Sequence, residues 1–178
     1  MSTNRFIQSF AQIPKELFRM NIGASIRLRA HPGPVRPQRR FDLLTVSGKV
    51  QPKALDPASY EWPNGASMRP NSPGQQHIVR RIFRGSSPIY VFAVPAGSSP
   101  PEALGVFPPF IDQRYICTGT VLPDDLILVH EFGDHYSLQA REEMTVEELD
   151  AKINAFLITK GQRFSKDEWL QQYPRATE

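Results

Sequence analysis

Half of the histidines in this 178-residue chain lie in one stretch, residues 118–140, together with carboxylate, hydroxyl and aromatic side chains. A short apolar run is followed there by a polar break and then by an alternating segment. Because successive side chains of a strand point to opposite faces, the alternating segment has one polar and one apolar face. The polar face holds His135, Ser137 and Gln139. We therefore predict a strand that packs its apolar face and turns its polar face toward a cleft.

A metal site is one interpretation of this stretch, since His130, Glu131, Asp134 and His135 are all side chains that bind metals. The spacing argues against it. Two histidines five residues apart fall on opposite faces of a strand, and they miss the i, i+4 spacing of a helical zinc pair. We predict no metal.

A hydrolase that uses serine or cysteine is a second interpretation. Asp134 is adjacent to His135, so their side chains diverge on a strand, and the chain has no G-x-S-x-G motif. A triad would need Asp42 or Asp112, and nothing in the sequence selects either one. Cys117 with His135 would make a thiol pair, although a lone cysteine is more often simply buried.

A third interpretation combines Arg19 on an early strand, Ser67 on a strand after a turn, and His135 and Tyr136 on a late strand, with Glu131 nearby. These types suit cleavage of the glycosidic bond of NAD. Arginine binds a diphosphate through charge-assisted hydrogen bonds, and an aromatic ring stacks on nicotinamide. Groups that hydrogen-bond the ribose hydroxyls stabilise the charge that develops on the sugar. A serine hydroxyl supports the strand that lines the nicotinamide pocket.

Three segments of the chain resemble the ADP-ribosyltransferase-like toxins of the type VI secretion system. They are Leu17-Phe18-Arg19, GASMRP at 65–70, and GTVLPDDL followed by a short strand and HYSL within 119–139. Fungal members of that family look still closer in the DDLILVHEFGDHYSLQ segment. The sequence differs at Ala66, where the founding bacterial members have threonine. It also has no clear match to the superfamily's usual catalytic glutamate, for which Glu131 is the candidate.

The resemblance implies an ADP-ribosyltransferase-like fold, with a split and mostly antiparallel sheet around a cleft of the size of NAD. It implies a cytotoxin that acts in the cytoplasm, whose toxicity depends on Ser67 and His135. The expected activity is that of an NAD-dependent ADP-ribosyltransferase, a glycosyltransferase, or of an NAD glycohydrolase. Glu131 would join Ser67 and His135 in catalysis, while Arg19, Ser67, Tyr136 and His135 would bind NAD as co-substrate. The alternative is a catalytically inactive module that binds a nucleotide or a partner.

The elements that must position these residues are strands interleaved with two amphipathic helices, which predicts an α+β domain. We expect early strands at 15–20 and 66–69 and a central strand at 89–94 that is apolar on both faces. Capping patterns predict a helix from Ser72 to about Gly85 and another from Thr145 to Lys160. A proline-rich loop is expected at 95–110, and a short last helix near the end of the chain.

Composition narrows the class of protein further. The chain has a net charge of +3, with +9 in residues 1–81 and −6 in residues 82–178. The arginines of the first half are scattered among prolines, so no nucleic-acid surface is predicted. No apolar run is long enough to span a membrane.

We expect one domain at 14–173, preceded by an arm at 1–13 and followed by a tail at 174–178. Its expected partners are an acceptor macromolecule and a neutralising immunity or antitoxin protein.

Overall fold

The structure is a computed structural model that describes residues 6–32, 41–82, 88–97 and 120–178. Its strands are β1 Gln8–Phe10, β2 Leu17–Ile22, β3 Ala30–His31, β4 Leu43–Val46, β5 Lys49–Val50, β6 Ala66–Met68, β7 Ile89–Val94, β8 Leu126–Phe132, β9 His135–Ala140, β10 Met144–Thr145 and β11 Gln162–Ser165. Its helices are α1 Pro73–His77, which continues as a π-helical turn at Ile78–Ile82, α2 Val146–Lys160 and α3 Lys166–Gln172. Short 3-10 turns occur at Lys53–Leu55 and Pro57–Ser59.

The strands form three sheets, and every pairing except that of β3 with β4 is antiparallel. One sheet has the order β1-β8-β9-β6, a second β10-β5-β4-β3, and a third β11-β7-β2. With the packed helices, this arrangement confirms the predicted α+β class and the predicted central position of β7 between two partners.

The first and third sheets meet at one point and then separate. The Phe18 amide of β2 donates to the Arg69 carbonyl at 2.7 Å, and the Arg69 amide donates back at 3.0 Å. On its other edge β2 pairs with β7 along its whole length, and β6 pairs with β9. Apart from this bridge, β2 and β6 belong to different sheets. This break in the backbone pairing, called the gap below, corresponds to the split predicted from the family resemblance.

The main core lies between α2 and the sheets. The buried stripe of α2 packs with apolar side chains of β7, β8 and β9, and it consists of Leu149, Ile153, Phe156 and Leu157. Complete burial of such a side chain contributes roughly 1.5–3 kcal/mol. The helix begins with the predicted capping box, in which Thr145 Oγ1 accepts from the Glu148 amide and the Glu148 carboxylate accepts from the Thr145 amide.

A second cluster covers the other face of the third sheet. Trp169 of α3 is fully buried against Phe18 of β2, with ring centroids 5.4 Å apart. Val91 and Ala93 of β7 complete this layer from one face of the strand, while Phe92 and Val94 belong to the main core. The apolar run of β7 is therefore explained by burial on both faces.

Several segments differ from the sequence-based expectations. Ser72 caps α1 as predicted, accepting from the Gln75 amide at 3.1 Å, but the α-helix ends at His77 and continues as the π-helical turn. The proposed stop at Gly85 and the 95–110 loop from residue 98 onward lie outside the described residues.

The two ends of the described chain are attached to the rest of the fold. Within residues 1–13, which were expected to form an arm, β1 pairs with β8 as a strand. In the expected tail, the amides of Thr177 and Glu178 donate to the Asn71 carbonyl. In the part of the chain that the structure describes, no helix is long and apolar enough to cross a bilayer.

Candidate functional site

Three predicted residues meet where the sheets separate. Arg19 leaves β2 and donates from Nη1 to the Ser67 carbonyl of β6 at 3.0 Å. Arg69, whose backbone pairs with Phe18, lies two residues farther along, so the backbone groups of Ser67 and Arg69 point to the same side of their segment. The Arg19 guanidinium thus donates to the Ser67 carbonyl, which the β2 backbone does not reach.

The Ser67 side chain points to the late strand. Its Oγ lies 3.0 Å from Nε2 of His135 on β9, within hydrogen-bond range. The register that pairs Ser67 with Ser137 places Ser67, His135 and Ser137 on the same face of this sheet. The structure therefore brings together Arg19, Ser67 and His135, which the sequence places on three separate strands.

A β-bulge shapes the site beside His135. The register between β8 and β9 shifts between His130 and Phe132, so that Phe132 pairs with His135 and Glu131 is the extra residue. Strict alternation would send Glu131 and Phe132 to opposite faces, whereas a bulge re-aims a side chain. As a result the Phe132 ring stacks on the His135 ring at 4.8 Å, and Glu131 also reaches this histidine.

Glu131 contacts the imidazole nitrogen that faces away from Ser67. Its Oε2 lies 2.6 Å from His135 Nδ1, although the two atoms are not aligned as a hydrogen bond. Both residues are buried, with exposures of 1% for Glu131 and 4% for His135. Ser67, His135 and Glu131 thus form a continuous polar chain from the gap between the sheets to the interior.

A buried polar network holds the other carboxylate oxygen. Glu131 Oε1 accepts from the Tyr60 hydroxyl, from Ser137 Oγ at 2.9 Å and from Gln139 Nε2 at 3.2 Å. Asn64 Nδ2 in turn donates to Gln139 Oε1 at 3.2 Å. Burial is the largest cause that raises the pKa of Tyr60, and the Glu131 charge adds to it. The phenol therefore keeps its proton and acts as a donor.

The polar face of β9 is covered, which corrects the prediction that it faces an open cleft. His135, Ser137 and Gln139 are each less than 5% exposed. The residues that cover them come from the 51–63 segment, in which Tyr60 reaches Glu131 and Trp62 sets its ring edge toward His135 at 6.5 Å.

Burial also governs the charge at the gap. It is the main cause that lowers the pKa of Arg19, and the same cause acts on Arg69. An arginine remains charged even so. Arg19 Nε is buried and has no hydrogen-bond partner among the described residues.

Tyr136 is not brought into this group. It lies on the opposite face of β9, belongs to the main core and stacks on His130 at 4.3 Å. His130 lies on β8 and pairs with Tyr136, so it is on the opposite face of this sheet from His135 on β9. Asp134 also turns away from His135, since it accepts from the Ser72 hydroxyl and lies 3.6 Å from Arg69 Nε.

Four residues of this region were not predicted: Tyr60, Trp62, Phe132 and the hydrogen-bonding role of Gln139. The sequence carried one usable signal, the glycine at position 133 directly after Glu131 and Phe132. In the structure Gly133 has a φ of +50° and turns the chain there. A glycine-containing turn at the end of an apolar strand favours a bulge there. Nothing local indicated that Tyr60 reaches across 71 residues.

Comparison with known proteins identifies the family to which the chain belongs. A model of the Tse2 ADP-ribosyltransferase toxin family matches residues 15–169, a range that includes Arg19, Ser67, Glu131 and His135. Searches of curated proteins and of solved structures found no significant match. Nothing in these comparisons supports the expected closeness to fungal members. The match covers most of the sequence, and the chain therefore belongs to the Tse2 ADP-ribosyltransferase toxin family.

Proposed function

We propose that this chain is a toxin that acts inside cells and cleaves the bond between nicotinamide and ribose of NAD. The observation that carries the proposal is the meeting of Arg19, Ser67 and His135 at the gap between β2 and β6. Membership of a family described as ADP-ribosyltransferase toxins supports the choice of NAD as co-substrate.

The residues at the gap fit the charge of NAD. A diphosphate requires cationic donors, and Arg19 offers a buried Nε that is unpaired among the described residues. A charge-assisted hydrogen bond to a phosphate oxygen would satisfy this donor, which otherwise remains desolvated at a cost. Arg69 adds a second cation near the same strand junction.

The polar chain suits the transition state of glycosidic cleavage. NAD supplies the scissile bond, and its nicotinamide leaves with the bonding electrons while positive charge develops on the ribose. Ser67, which is half-buried, would orient a ribose hydroxyl through its Oγ, and the buried His135 would hold that hydroxyl group of Ser67 through Nε2. Groups that are already fixed require little reorganisation in the transition state.

Trp62 and Phe132, rather than Tyr136, would make the aromatic contact to nicotinamide. Tyr136 is buried on the opposite face, whereas Trp62 is 41% exposed beside His135. Phe132 stacks on the imidazole and lies 6.1 Å from Trp62. These two rings would supply the apolar surface on which a flat nicotinamide ring packs.

A catalytically inactive module that binds NAD or another nucleotide is the second candidate. The observation that favours it is the enclosure of Glu131, because the one carboxylate proposed as the catalytic acid is engaged by protein groups on both oxygens. Transfer of ADP-ribose to an acceptor macromolecule, and neutralisation by an immunity or antitoxin protein, are further parts of the proposal that rest on the family.

Release of nicotinamide from NAD by the purified protein tests the proposal. We expect release by the native protein and a decrease on the order of 10- to 100-fold in Ser67→Ala, because one hydrogen-bonding group of the site is lost. Ser25→Ala is the matched control, since Ser25 is exposed and lies outside the site. Binding of NAD without release would favour the inactive module, and absence of both would overturn the proposal.

A further inference from the structure

The most enclosed charged group of the site is not placed to touch a substrate. Glu131 is 1% exposed, and the residues that surround its carboxylate are similarly buried: Tyr60 at 7%, Ser137 at 2% and Gln139 at 0%. A ribose hydroxyl would have to displace one of these groups to reach it. This geometry opposes the role of catalytic acid that the sequence suggested for Glu131.

The carboxylate is nevertheless maintained in a defined position. An unpaired carboxylate in the interior is strongly disfavoured, whereas one that accepts several hydrogen bonds is stabilised in its ionised form. Three donors converge on Oε1: the Tyr60 phenol, Ser137 Oγ and Gln139 Nε2. The two oxygens are therefore distinguished, with Oε1 fixed by the network and Oε2 directed to His135.

The contact with His135 determines where the imidazole carries its proton. Oε2 is 2.6 Å from Nδ1, a separation at which two lone pairs would repel, so an ionised Glu131 requires the proton on Nδ1. In the neutral ring Nε2 is then the acceptor, and it lies 3.0 Å from Ser67 Oγ. The buried charge thus sets the direction of the hydrogen bond at the gap between the sheets.

We propose that Glu131 is a positioning residue that acts through His135, and that Tyr60, Ser137 and Gln139 hold its carboxylate for this role. The inference rests on the proposed function, because it assigns work to residues of the same site. In this proposal Glu131 does not take the place of the superfamily's usual catalytic glutamate. The glutamate instead fixes the ring and tautomer of the histidine that faces Ser67.

Nitrogen chemical shifts of the imidazoles test the tautomer without requiring activity. The chain has four histidines, so the His135 signals are assigned by their loss in His135→Ala. We expect protonation at Nδ1 in the neutral native ring and a shift toward the Nε2-protonated tautomer in Glu131→Gln, whose amide can donate to Nδ1. Glu143→Gln is the control, because this exposed glutamate pairs with Lys49. An unchanged tautomer in Glu131→Gln would overturn the proposal.

Tyr60→Phe is a second variant that tests the same proposal if Glu131→Gln does not fold. It removes one donor to Oε1 and leaves the carboxylate in place, so the interaction of Oε2 with Nδ1 should strengthen and move the Nδ1 resonance. Tyr173→Phe is its matched control, since the Tyr173 phenol donates to Glu16 at 3.0 Å outside the site. The same Nδ1 shift in Tyr60→Phe as in Tyr173→Phe would contradict the network.

Turnover separates this proposal from the proposed function. If NAD is cleaved, Glu131→Gln should lower kcat on the order of 10- to 100-fold while KM for NAD changes less than about 3-fold, because the glutamate acts through a neighbouring residue. A large rise in KM with unchanged kcat would mean that Glu131 binds NAD and would refute the positioning role. If the native protein releases no nicotinamide, the proposed function fails while the nitrogen shifts still decide this inference.

Discussion

At the scale of single residues, burial makes His135 differ from a histidine that lines an open cleft. Its ring stacks on Phe132, its Nε2 faces Ser67 and its Nδ1 faces a buried glutamate. The side chain therefore connects the interior to the gap between the sheets. Its removal should therefore affect stability as well as activity.

We predict that His135→Ala lowers the free energy of unfolding by about 1–3 kcal/mol, because the Oε2 atom of Glu131 loses its contact and stays buried. Leu138→Ala, on the apolar face of the same strand, should cost about 2–5 kcal/mol. Urea denaturation measures both. His77→Ala is the control, since His77 is exposed and should change stability by less than about 0.5 kcal/mol. Equal stabilities of His135→Ala and His77→Ala would contradict the burial.

At the scale of elements, the site depends on how closely β6 approaches β9. Gly65 precedes β6, and a Cβ built on it would lie 2.2 Å from the Leu138 carbonyl oxygen. That atom belongs to the backbone of a central strand and cannot move aside easily. The glycine is therefore required by close approach of two backbones rather than by a left-handed conformation.

We predict that Gly65→Ala displaces β6 and with it Ser67, so that stability falls by about 1–3 kcal/mol and nicotinamide release decreases together. Thermal unfolding and turnover measure the two effects. Gly23→Ala is the comparison, because Gly23 has open space around it and carries only the strain of its φ of +81°. Retention of full activity by Gly65→Ala would show that β6 tolerates the shift.

The bulge in β8 is the second feature of the strands on which the site depends. It lets Glu131 and Phe132 both serve the face that carries His135, which strict alternation would not allow. One residue then reaches the buried network, and the other stacks on the imidazole. The bulge therefore supplies two of the contacts that fix the histidine.

At the scale of the whole molecule, exposed glutamates distributed over the surface share one electrostatic behaviour. Hydrogen bonds from lysines are the largest cause that lowers the pKa of Glu61 and Glu143, and backbone amides at helix starts lower that of Glu148 and Glu168. Asp150 opposes them, because burial raises its pKa.

We predict that stability falls as the pH is lowered through the acidic range. A carboxyl group whose pKa is depressed by folding stabilises the protein above its ordinary pKa, here 4.5, and the contribution is lost as the pH falls through the folded value. Urea denaturation from pH 7 to pH 3 measures this loss. Glu148→Gln should flatten the decrease, whereas a stability that rises on acidification would contradict the assignment.

The sequence by itself determined the α+β class, the central strand, the cap of α2 and the two faces of β9. These features depend on local periodicity and capping chemistry, which act over a few residues. It also located Arg19, Ser67 and His135 on separate strands. Their convergence was a prediction until the pairing of strands far apart in the chain was known.

Only the tertiary structure decided what surrounds those residues. Ser67 meets His135 across 68 positions, and Tyr60 meets Glu131 across 71. Contacts of that separation depend on the register and packing of the whole fold, which no local pattern encodes. The bulge, the cover over β9 and the enclosure of Glu131 follow from that packing. For the same physical reason a glutamate that resembled a catalytic acid in the sequence lies beneath the histidine in the fold.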